Sequence, residues 1–258
     1  MASLTGRRIV VTRAREQAGD LMRALEQRGA MPVLVPVIRI QPLENLGALR
    51  AALTGLSAYR WVVFTSQNAV RVVFDRLVAW GLTPRVFATT AVAAIGSATA
   101  DALTVRGVVP ALVPEEFVAE SLAAALIGRT GGTLVGTRVL IPSAEDVREV
   151  LGATLREHGA EVEAIPVYRT VPVDTDLTGL AADIERGRVD AVTFTSSSTV
   201  RSFVDLVGRA AATSERFVAA TIGPVTAGTA RELGLRDVIE AEPHTVEGLV
   251  DSLARRFA

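Results

Sequence analysis

The chain has 258 residues, 49% of them hydrophobic, and a formal net charge of −1 at pH 7. This length suits two domains of ordinary size, and the composition predicts a large core rather than extended disorder. The near-neutral charge gives no sign of nucleic-acid or membrane binding. Because the chain has no cysteine, disulfides, thiolate metal sites and cysteine nucleophiles are excluded.

The predicted elements alternate between short apolar strands and amphipathic helices. In the first half the strands are expected at residues 8–12, 31–37, 61–65 and 90–95, and the helices at 17–28, 66–77 and 99–106. The second half repeats this order. Such alternation predicts an α/β fold with parallel sheets that are covered by helices on both faces.

The two halves of the sequence resemble each other at a nearly constant offset. Val63-Phe64-Thr65-Ser66 corresponds to Thr193-Phe194-Thr195-Ser196, an offset of 130 residues. The offset also pairs Gly29-Ala30 with Gly159-Ala160, and it becomes 127 where Ile95-Gly96 meets Ile222-Gly223. We interpret this as a duplicated domain. The alternative is two similar α/β segments that share only common turn chemistry.

Two segments interrupt the alternation at equivalent places, Pro36–Pro42 and Pro166–Pro172. Proline fixes φ and favours extended geometry in the residue before it. We therefore predict a two-stranded linker formed by residues 37–41 and 166–171. The residues alone leave open whether the domains are sequential, 1–130 and 131–258, or exchanged across this linker.

Small polar residues follow the predicted strands and precede the predicted helices. The four junctions are Phe64-Thr65-Ser66-Gln67-Asn68, Ile95-Gly96-Ser97, Phe194-Thr195-Ser196-Ser197-Ser198 and Ile222-Gly223-Pro224. Ligands of open α/β sheets bind beyond the carboxyl ends of the strands, where helix N-termini attract carboxylates or phosphates. The alternative for each junction is ordinary N-capping.

Two further residues are candidates for chemistry. Arg13 follows the first strand, where a guanidinium would suit a carboxylate; the alternative is a surface ion pair. Tyr168 lies in the second linker segment and offers a neutral donor; the alternative is an amphipathic linker residue.

Other kinds of site are disfavoured. All basic residues are arginine, so no Schiff-base lysine exists, and the only histidines are His158 and His244. We expect His158 near a helix C-terminus and His244 at the surface. No nucleophile–base pair and no dinucleotide fingerprint is present. The N-terminal residues lack the apolar stretch of a signal peptide, which predicts a cytoplasmic location.

The motifs together resemble the uroporphyrinogen-III synthase family over essentially the full length. The resemblance rests on Val11-Thr12-Arg13 with Gln17, Phe64-Thr65-Ser66-Gln67-Asn68-Ala69-Val70, Ala94-Ile95-Gly96, Val167-Tyr168-Arg169-Thr170, Phe194-Thr195-Ser196 and Ile222-Gly223-Pro224-Val225-Thr226-Ala227. Their order and spacing are more specific than any one of them.

This resemblance implies two Rossmann-like or flavodoxin-like domains, residues 1–36 with 172–258 and residues 42–165, joined by the two-stranded linker. It implies an enzyme that cyclises hydroxymethylbilane, a linear tetrapyrrole with acetate and propionate side chains. Water is lost and ring D is inverted, which gives uroporphyrinogen III for tetrapyrrole and haem biosynthesis. No cofactor or metal is implied. We expect a monomer that meets hydroxymethylbilane synthase only transiently.

The resemblance also implies roles for individual residues. Tyr168 would assist departure of the hydroxyl group. Side chains and backbone N–H groups in a shared cleft would hold the carboxylates, and the residues concerned are Arg13, Thr65, Ser66, Ser97, Thr195, Ser196, Gly223 and Thr226. The sequence departs from the family where many members carry an Arg-Gly pair: it reads Ile141-Pro142-Ser143-Ala144-Glu145-Asp146, with Arg148 retained.

Two rival functions are compatible with the same fold. The first is a non-catalytic ligand-binding or regulatory module. The second is a two-lobed binding protein of the periplasmic type, which the missing signal peptide disfavours.

Overall fold

The computed structural model describes residues 3–116, 118–146 and 150–258. In this part of the chain the strands are β1 (Arg8–Val11), β2 (Met31–Leu34), β3 (Ile38–Pro42), β4 (Trp61–Phe64), β5 (Ala91–Ala94), β6 (Arg138–Ala144), β7 (Glu161–Pro172), β8 (Ala191–Phe194), β9 (Val218–Thr221) and β10 (Val238–Glu240). The helices are α1 (Gly19–Gln27), α2 (Gly47–Thr54), α3 (Gln67–Ala79), α4 (Ser97–Thr104), α5 (Ala119–Arg129), α6 (Val150–Glu157), α7 (Thr178–Glu185), α8 (Ser197–Val207), α9 (Arg209–Ala212), α10 (Pro224–Glu232) and α11 (Val246–Arg256). Short 3₁₀ turns occur at Arg15–Gln17, Leu56–Ala58 and Pro84–Thr89.

The chain divides into two compact units. The first unit comprises residues 1–39 and 170–258, and the second comprises residues 40–169. The chain therefore leaves the first unit once, through β3, and returns to it once, through β7. The domain limits that the resemblance implies stay a prediction.

The first unit contains a parallel sheet in the order β2-β1-β8-β9-β10. Numbered along this unit alone, the order is 2-1-3-4-5, which is the flavodoxin-like arrangement. The strand order reverses between β1 and β8, and this is the place where such sheets bind ligands at their carboxyl edge.

The second unit contains four strands in the same spatial order as four strands of the first, together with the linker strand β3. Its order is β3-β7-β6-β4-β5, and β7, β6, β4 and β5 are mutually parallel. The offset of 130 residues equates β6, β7 and β4 with β1, β2 and β8, so the corresponding reversal lies between β6 and β4. The predicted fold class and duplication are confirmed.

The two linker strands pair antiparallel. Leu43 donates its backbone N–H to the oxygen of Val167, and Val173 donates to the oxygen of Val37. This pairing makes the sheet of the second unit mixed. The structure differs from the prediction in one respect, because β7 runs unbroken from the sheet into the linker. Pro166 is tolerated inside this strand, beside Ser143 in the register.

The apolar strands are buried on both faces, as their continuous hydrophobic character predicts. In β4, Val62 and Phe64 face one core cluster, whereas Trp61 and Val63 face another. All four side chains are buried. This alternation explains why the strand has no polar position, and it leaves the first polar residue, Thr65, at the carboxyl edge.

Equivalent glycines follow helix α1 in the first unit and helix α6 in the second, and both have the left-handed backbone conformation. Gly29 has φ +82° and Gly159 has φ +93°, and they are 130 residues apart. A Cβ atom at Gly159 would lie 2.6 Å from a methyl carbon of Val135. Both the backbone and the packing therefore require glycine there. No helix in the described ranges is both long and apolar enough to cross a bilayer.

Candidate functional site

The residues predicted from sequence lie at the carboxyl edges of the two sheets. Thr65, Ser66, Ser97 and Tyr168 belong to the second unit. The remaining predicted residues belong to the first unit, and they are Arg13, Thr195, Ser196, Gly223 and Thr226.

In the second unit, Tyr168 and Ser66 form a hydroxyl pair. The Tyr168 hydroxyl oxygen lies 3.0 Å from Ser66 Oγ. Tyr168 is 7% exposed and packs in the core cluster beside Phe64, so its ring orientation is fixed by packing. The backbone oxygen of Tyr168 accepts a 2.8 Å hydrogen bond from the N–H of Glu145. This bond follows a register shift between Ser143 and Ala144 at the end of β6.

Ser66 is held from the opposite side by α3. It is the N-cap of that helix, with extended backbone, and Ser66 Oγ accepts a 3.1 Å hydrogen bond from the N–H of Ala69. With one lone pair used by Ala69, the serine can still donate its own proton to Tyr168. In that arrangement the Tyr168 proton is free for another acceptor.

The neighbouring junction of this unit is simpler. Gly96 is the N-cap of α4 without a side-chain bond, and Ser97 is exposed as the first helical residue. Gln67 Nε2 donates a 3.0 Å hydrogen bond to the oxygen of Ala98, which connects the α3 and α4 N-termini. Thr65 is half-buried and follows β4 directly. The retained Arg148 lies outside the described residues.

In the first unit, Ser196 begins α8 with a reciprocal cap. Ser196 Oγ accepts from the N–H of Thr199 at 3.3 Å, and Thr199 Oγ1 accepts from the N–H of Ser196 at 3.3 Å. Ser196 Oγ also lies 2.9 Å from Ser198 Oγ. Ser197 extends the hydroxyl cluster to Thr229 on α10, at 2.8 Å. Capping accounts for Ser196, and the hydroxyl cluster adds further donors at this edge.

Gly223 and Thr226 lie at the start of α10. Gly223 is the N-cap, Pro224 occupies the first turn, and Thr226 is buried. The ring of His244 packs within 3.5 Å of where a Cβ atom of Gly223 would be. The His244 ring also lies 3.1 Å from the carboxylate of Glu240. The histidine is more than half exposed, as predicted, but it lies beside a predicted binding residue.

Arg13 is a half-buried cation, and the carboxylate that acts on it electrostatically is that of Asp20. Its side chain makes no hydrogen bond or ion pair with the described residues, and its Nε is fully buried. Burial lowers the pKa of Arg13, and the Asp20 carboxylate opposes this shift. The surface ion pair considered as an alternative is therefore not what the structure shows. A desolvated guanidinium beyond β1 favours an anionic ligand.

Sequence reasoning missed a hydroxyl crosslink at the strand reversal of the first unit. Thr12 Oγ1 donates to the oxygen of Thr193 at 2.6 Å, and Thr193 Oγ1 donates to the oxygen of Val10 at 3.1 Å. Both threonines are buried. The available signal was a threonine within or just after each of these apolar strands, Thr193 in β8 and Thr12 after β1. The crosslink fixes β1 against β8 and thereby fixes the backbone that carries Arg13.

The arrangement can bind anions and donate hydrogen bonds. Each edge combines helix N-termini with hydroxyl groups. The first unit adds an unpaired cation and the second adds a buried phenol. Among the described residues, no three histidine or carboxylate side chains lie close enough together to hold one metal ion.

The family model and the curated relatives that match this chain name the same family. The family model described as "Uroporphyrinogen-III synthase HemD" matches residues 19–251. The chain is 33% identical over 250 residues to "Porphyrin biosynthesis protein HemD" of Ruminiclostridium josui, covering 97% of this chain but only 48% of that protein. It is 31% identical to "Uroporphyrinogen-III synthase" of Synechococcus elongatus, covering 96% of this chain and 94% of the relative.

Solved structures agree on the fold. The chain superposes on a mutant uroporphyrinogen III synthase of Thermus thermophilus with a TM-score of 0.62 and 23% identity, covering 97% of this chain and 98% of the other. A uroporphyrinogen-III synthetase from Helicobacter pylori gives a TM-score of 0.61 at 20% identity, covering 98% of this chain and 100% of the other.

Proposed function

The chain belongs to the uroporphyrinogen-III synthase family, and from that premise we propose that it cyclises hydroxymethylbilane to uroporphyrinogen III. The observation that carries the proposal is the family match over residues 19–251. The reaction removes water from the linear tetrapyrrole and inverts ring D. The product supplies tetrapyrrole and haem biosynthesis.

The chemistry requires control of geometry more than a strong acid or base. A pyrrole nitrogen pushes out the hydroxyl group, and the carbon–oxygen bond breaks to leave an azafulvenium cation. The substituted carbon of ring D attacks this cation and gives a spiro intermediate. The older bond from that carbon to the bridge of ring C then breaks, and the released bridge carbon bonds to the unsubstituted carbon of ring D, which loses its proton. In the absence of the enzyme the linear substrate closes without inversion of ring D, which gives isomer I. Holding the reacting carbons together is therefore the main task of the protein.

We assign departure of the hydroxyl group to Tyr168 with Ser66. In the substrate complex Ser66 donates its proton to the Tyr168 oxygen, and Tyr168 donates to the leaving hydroxyl. The 3.0 Å separation of the two side chains allows this direction, and the Ala69 bond to Ser66 leaves the serine proton available for it. A neutral donor at this place stabilises the leaving oxygen as negative charge develops on it.

We assign carboxylate binding to the strand-end groups of both units. Arg13 supplies a guanidinium, and the junctions supply hydroxyl and N–H donors, Ser66 through its backbone N–H because its hydroxyl proton goes to Tyr168. The junction residues are Thr65, Ser66, Ser97, Thr195, Ser196, Gly223 and Thr226. Binding many peripheral carboxylates uses remote binding energy to hold the bent chain, which lowers the barrier to the inverted closure. The predictions of a monomer, a cytoplasmic location and a transient contact with hydroxymethylbilane synthase stay predictions.

The isomer ratio tests this function. Purified protein is added to freshly prepared hydroxymethylbilane, the product is oxidised, and isomers I and III are resolved by chromatography. We expect mainly isomer III. A product ratio equal to that of the protein-free control would identify a non-catalytic binding module instead.

A further inference from the structure

A pocket in the first unit lies beside the strand-end residues but contains none of those assigned above. Its volume is about 450 Å³, within the range of roughly 300–1,000 Å³ usual for small-molecule sites. Its apolar wall is formed by the end of β2, the residues leading into β3 and the segment after β7. These residues are Leu34, Val35, Pro36, Ile38, Val173 and Leu177.

Two arginines give the pocket a positive rim. Arg15 and Arg39 both line it, and both are exposed. Neither guanidinium makes a hydrogen bond or ion pair with the described residues. Glu16 is the one carboxylate among the lining residues, and Thr175 adds a hydroxyl. The lining therefore combines apolar walls with a net positive charge.

The fold does not require these charges. The offset that relates the two sheets places Arg15 opposite Glu145, and Glu16 opposite Asp146. The equivalent positions of the second unit are therefore acidic, although they follow a strand, β6, that is equivalent to β1. Arg39 is matched by Arg169, so the two rim arginines of the first unit correspond to one acidic residue, Glu145, and one arginine in the second.

We propose that this pocket binds one pyrrole ring of the bilane, with Arg15 and Arg39 each binding one of the two carboxylate side chains of that ring. The proposal rests on the function proposed above and names a subsite for it. The flat apolar ring fits the hydrocarbon wall, and a carboxylate suits the bidentate fork of arginine. Glu16 opposes binding and limits its strength.

Direct binding tests the subsite without turnover. The probe is the bilane in which a methyl group replaces the hydroxymethyl group, since it keeps every carboxylate and has no leaving group. Isothermal titration calorimetry compares the wild type with Arg15→Gln, Arg39→Gln and Glu16→Gln. Arg209→Gln is the matched control, because Arg209 is an exposed arginine of the same unit on the short helix α9.

We expect each pocket arginine variant to raise Kd about tenfold, the loss of one charge-assisted contact. Glu16→Gln should lower Kd by roughly threefold, and Arg209→Gln should leave it unchanged. Arg39→Lys should recover part of the affinity that Arg39→Gln loses. Equal Kd values for the wild type and both pocket variants would overturn the proposal.

The isomer assay separates this outcome from failure of the proposed function. If the wild type gives isomer I only, the proposed activity is wrong, and the Kd values still decide whether the pocket binds the bilane. If the wild type gives isomer III but the arginine variants bind normally, the activity stands and the subsite is wrong.

Discussion

The carboxyl edges of the two units share one backbone plan and differ in chemistry. In each unit a serine caps the helix that follows an equivalent strand, Ser66 after β4 and Ser196 after β8. The first unit then carries Arg13 where the second carries Ser143. The second unit carries Tyr168 where the first carries Ile38. The two edges therefore share hydroxyl and N–H donors, and they differ in the guanidinium of the first unit and the phenol of the second.

We infer from this difference that the two edges act on different parts of the reaction. A cationic edge strengthens binding of a substrate with many carboxylates. A buried phenol near Ser66 acts where the leaving oxygen gains charge. Changes in the first unit should therefore affect KM, and changes at Tyr168 should affect kcat.

Replacing Tyr168 with phenylalanine should lower kcat for isomer III by roughly tenfold to a hundredfold, because the donor to the leaving hydroxyl is lost. KM should change little, and the share of isomer I should rise as uncatalysed closure competes. Steady-state kinetics with isomer analysis measures both. An unchanged kcat would remove Tyr168 from the mechanism.

Replacing Arg13 with glutamine should raise KM about tenfold and leave kcat nearly unchanged. The melting temperature should be equal to or above that of the wild type, since a half-buried guanidinium that makes no ion pair is removed. Kinetics together with thermal unfolding tests this pair of effects. A lower melting temperature with normal KM would identify Arg13 as a structural residue.

The two serine caps should behave differently when each is replaced with alanine. Both variants should lose about 1 kcal/mol of stability, the usual cost of an N-cap. Ser66→Ala should also lower kcat by roughly threefold to tenfold, because Tyr168 loses its partner. Ser196→Ala should act on KM alone. Equal kinetic profiles would contradict the proposed division between the units.

Tyr59 provides a control at the opposite edge of the second unit. It is buried, it donates to Glu163, and Arg138 lies 4.6 Å from its ring centroid. Burial and then the Glu163 contact raise the pKa of Tyr59 to about 12. Tyr59→Phe should destabilise the protein by about 1 kcal/mol at neutral pH and leave the isomer ratio unchanged.

The raised pKa also fixes the sign of a pH effect. The neutral phenol is favoured in the folded state, so its stabilising contribution is complete below the ordinary pKa of 10.0 and is lost as the pH rises through about 12. Urea unfolding between about pH 8 and pH 11 should show the wild type losing more stability than Tyr59→Phe. Parallel curves would contradict this assignment.

Much of this architecture was predictable because it depends on local chemistry. Trp61–Phe64 is a strand because its continuous apolar side chains fill two cores, and Ser66 caps the next helix because its side chain reaches the N–H three residues on. The sequence repeat predicted two related sheets. The family motifs predicted Tyr168 and Arg13 as candidates, and their roles stay proposals.

The alternation of elements, the duplication, the helix caps and the family could be predicted from the residues alone, because each depends on neighbouring residues or on a repeated spacing. Only the tertiary structure decided which distant side chains meet. The Tyr168–Ser66 contact joins residues 102 positions apart, and the pocket of Arg15 and Arg39 requires chain segments from both halves of the sequence. Such contacts depend on strand order and register, which local patterns do not specify.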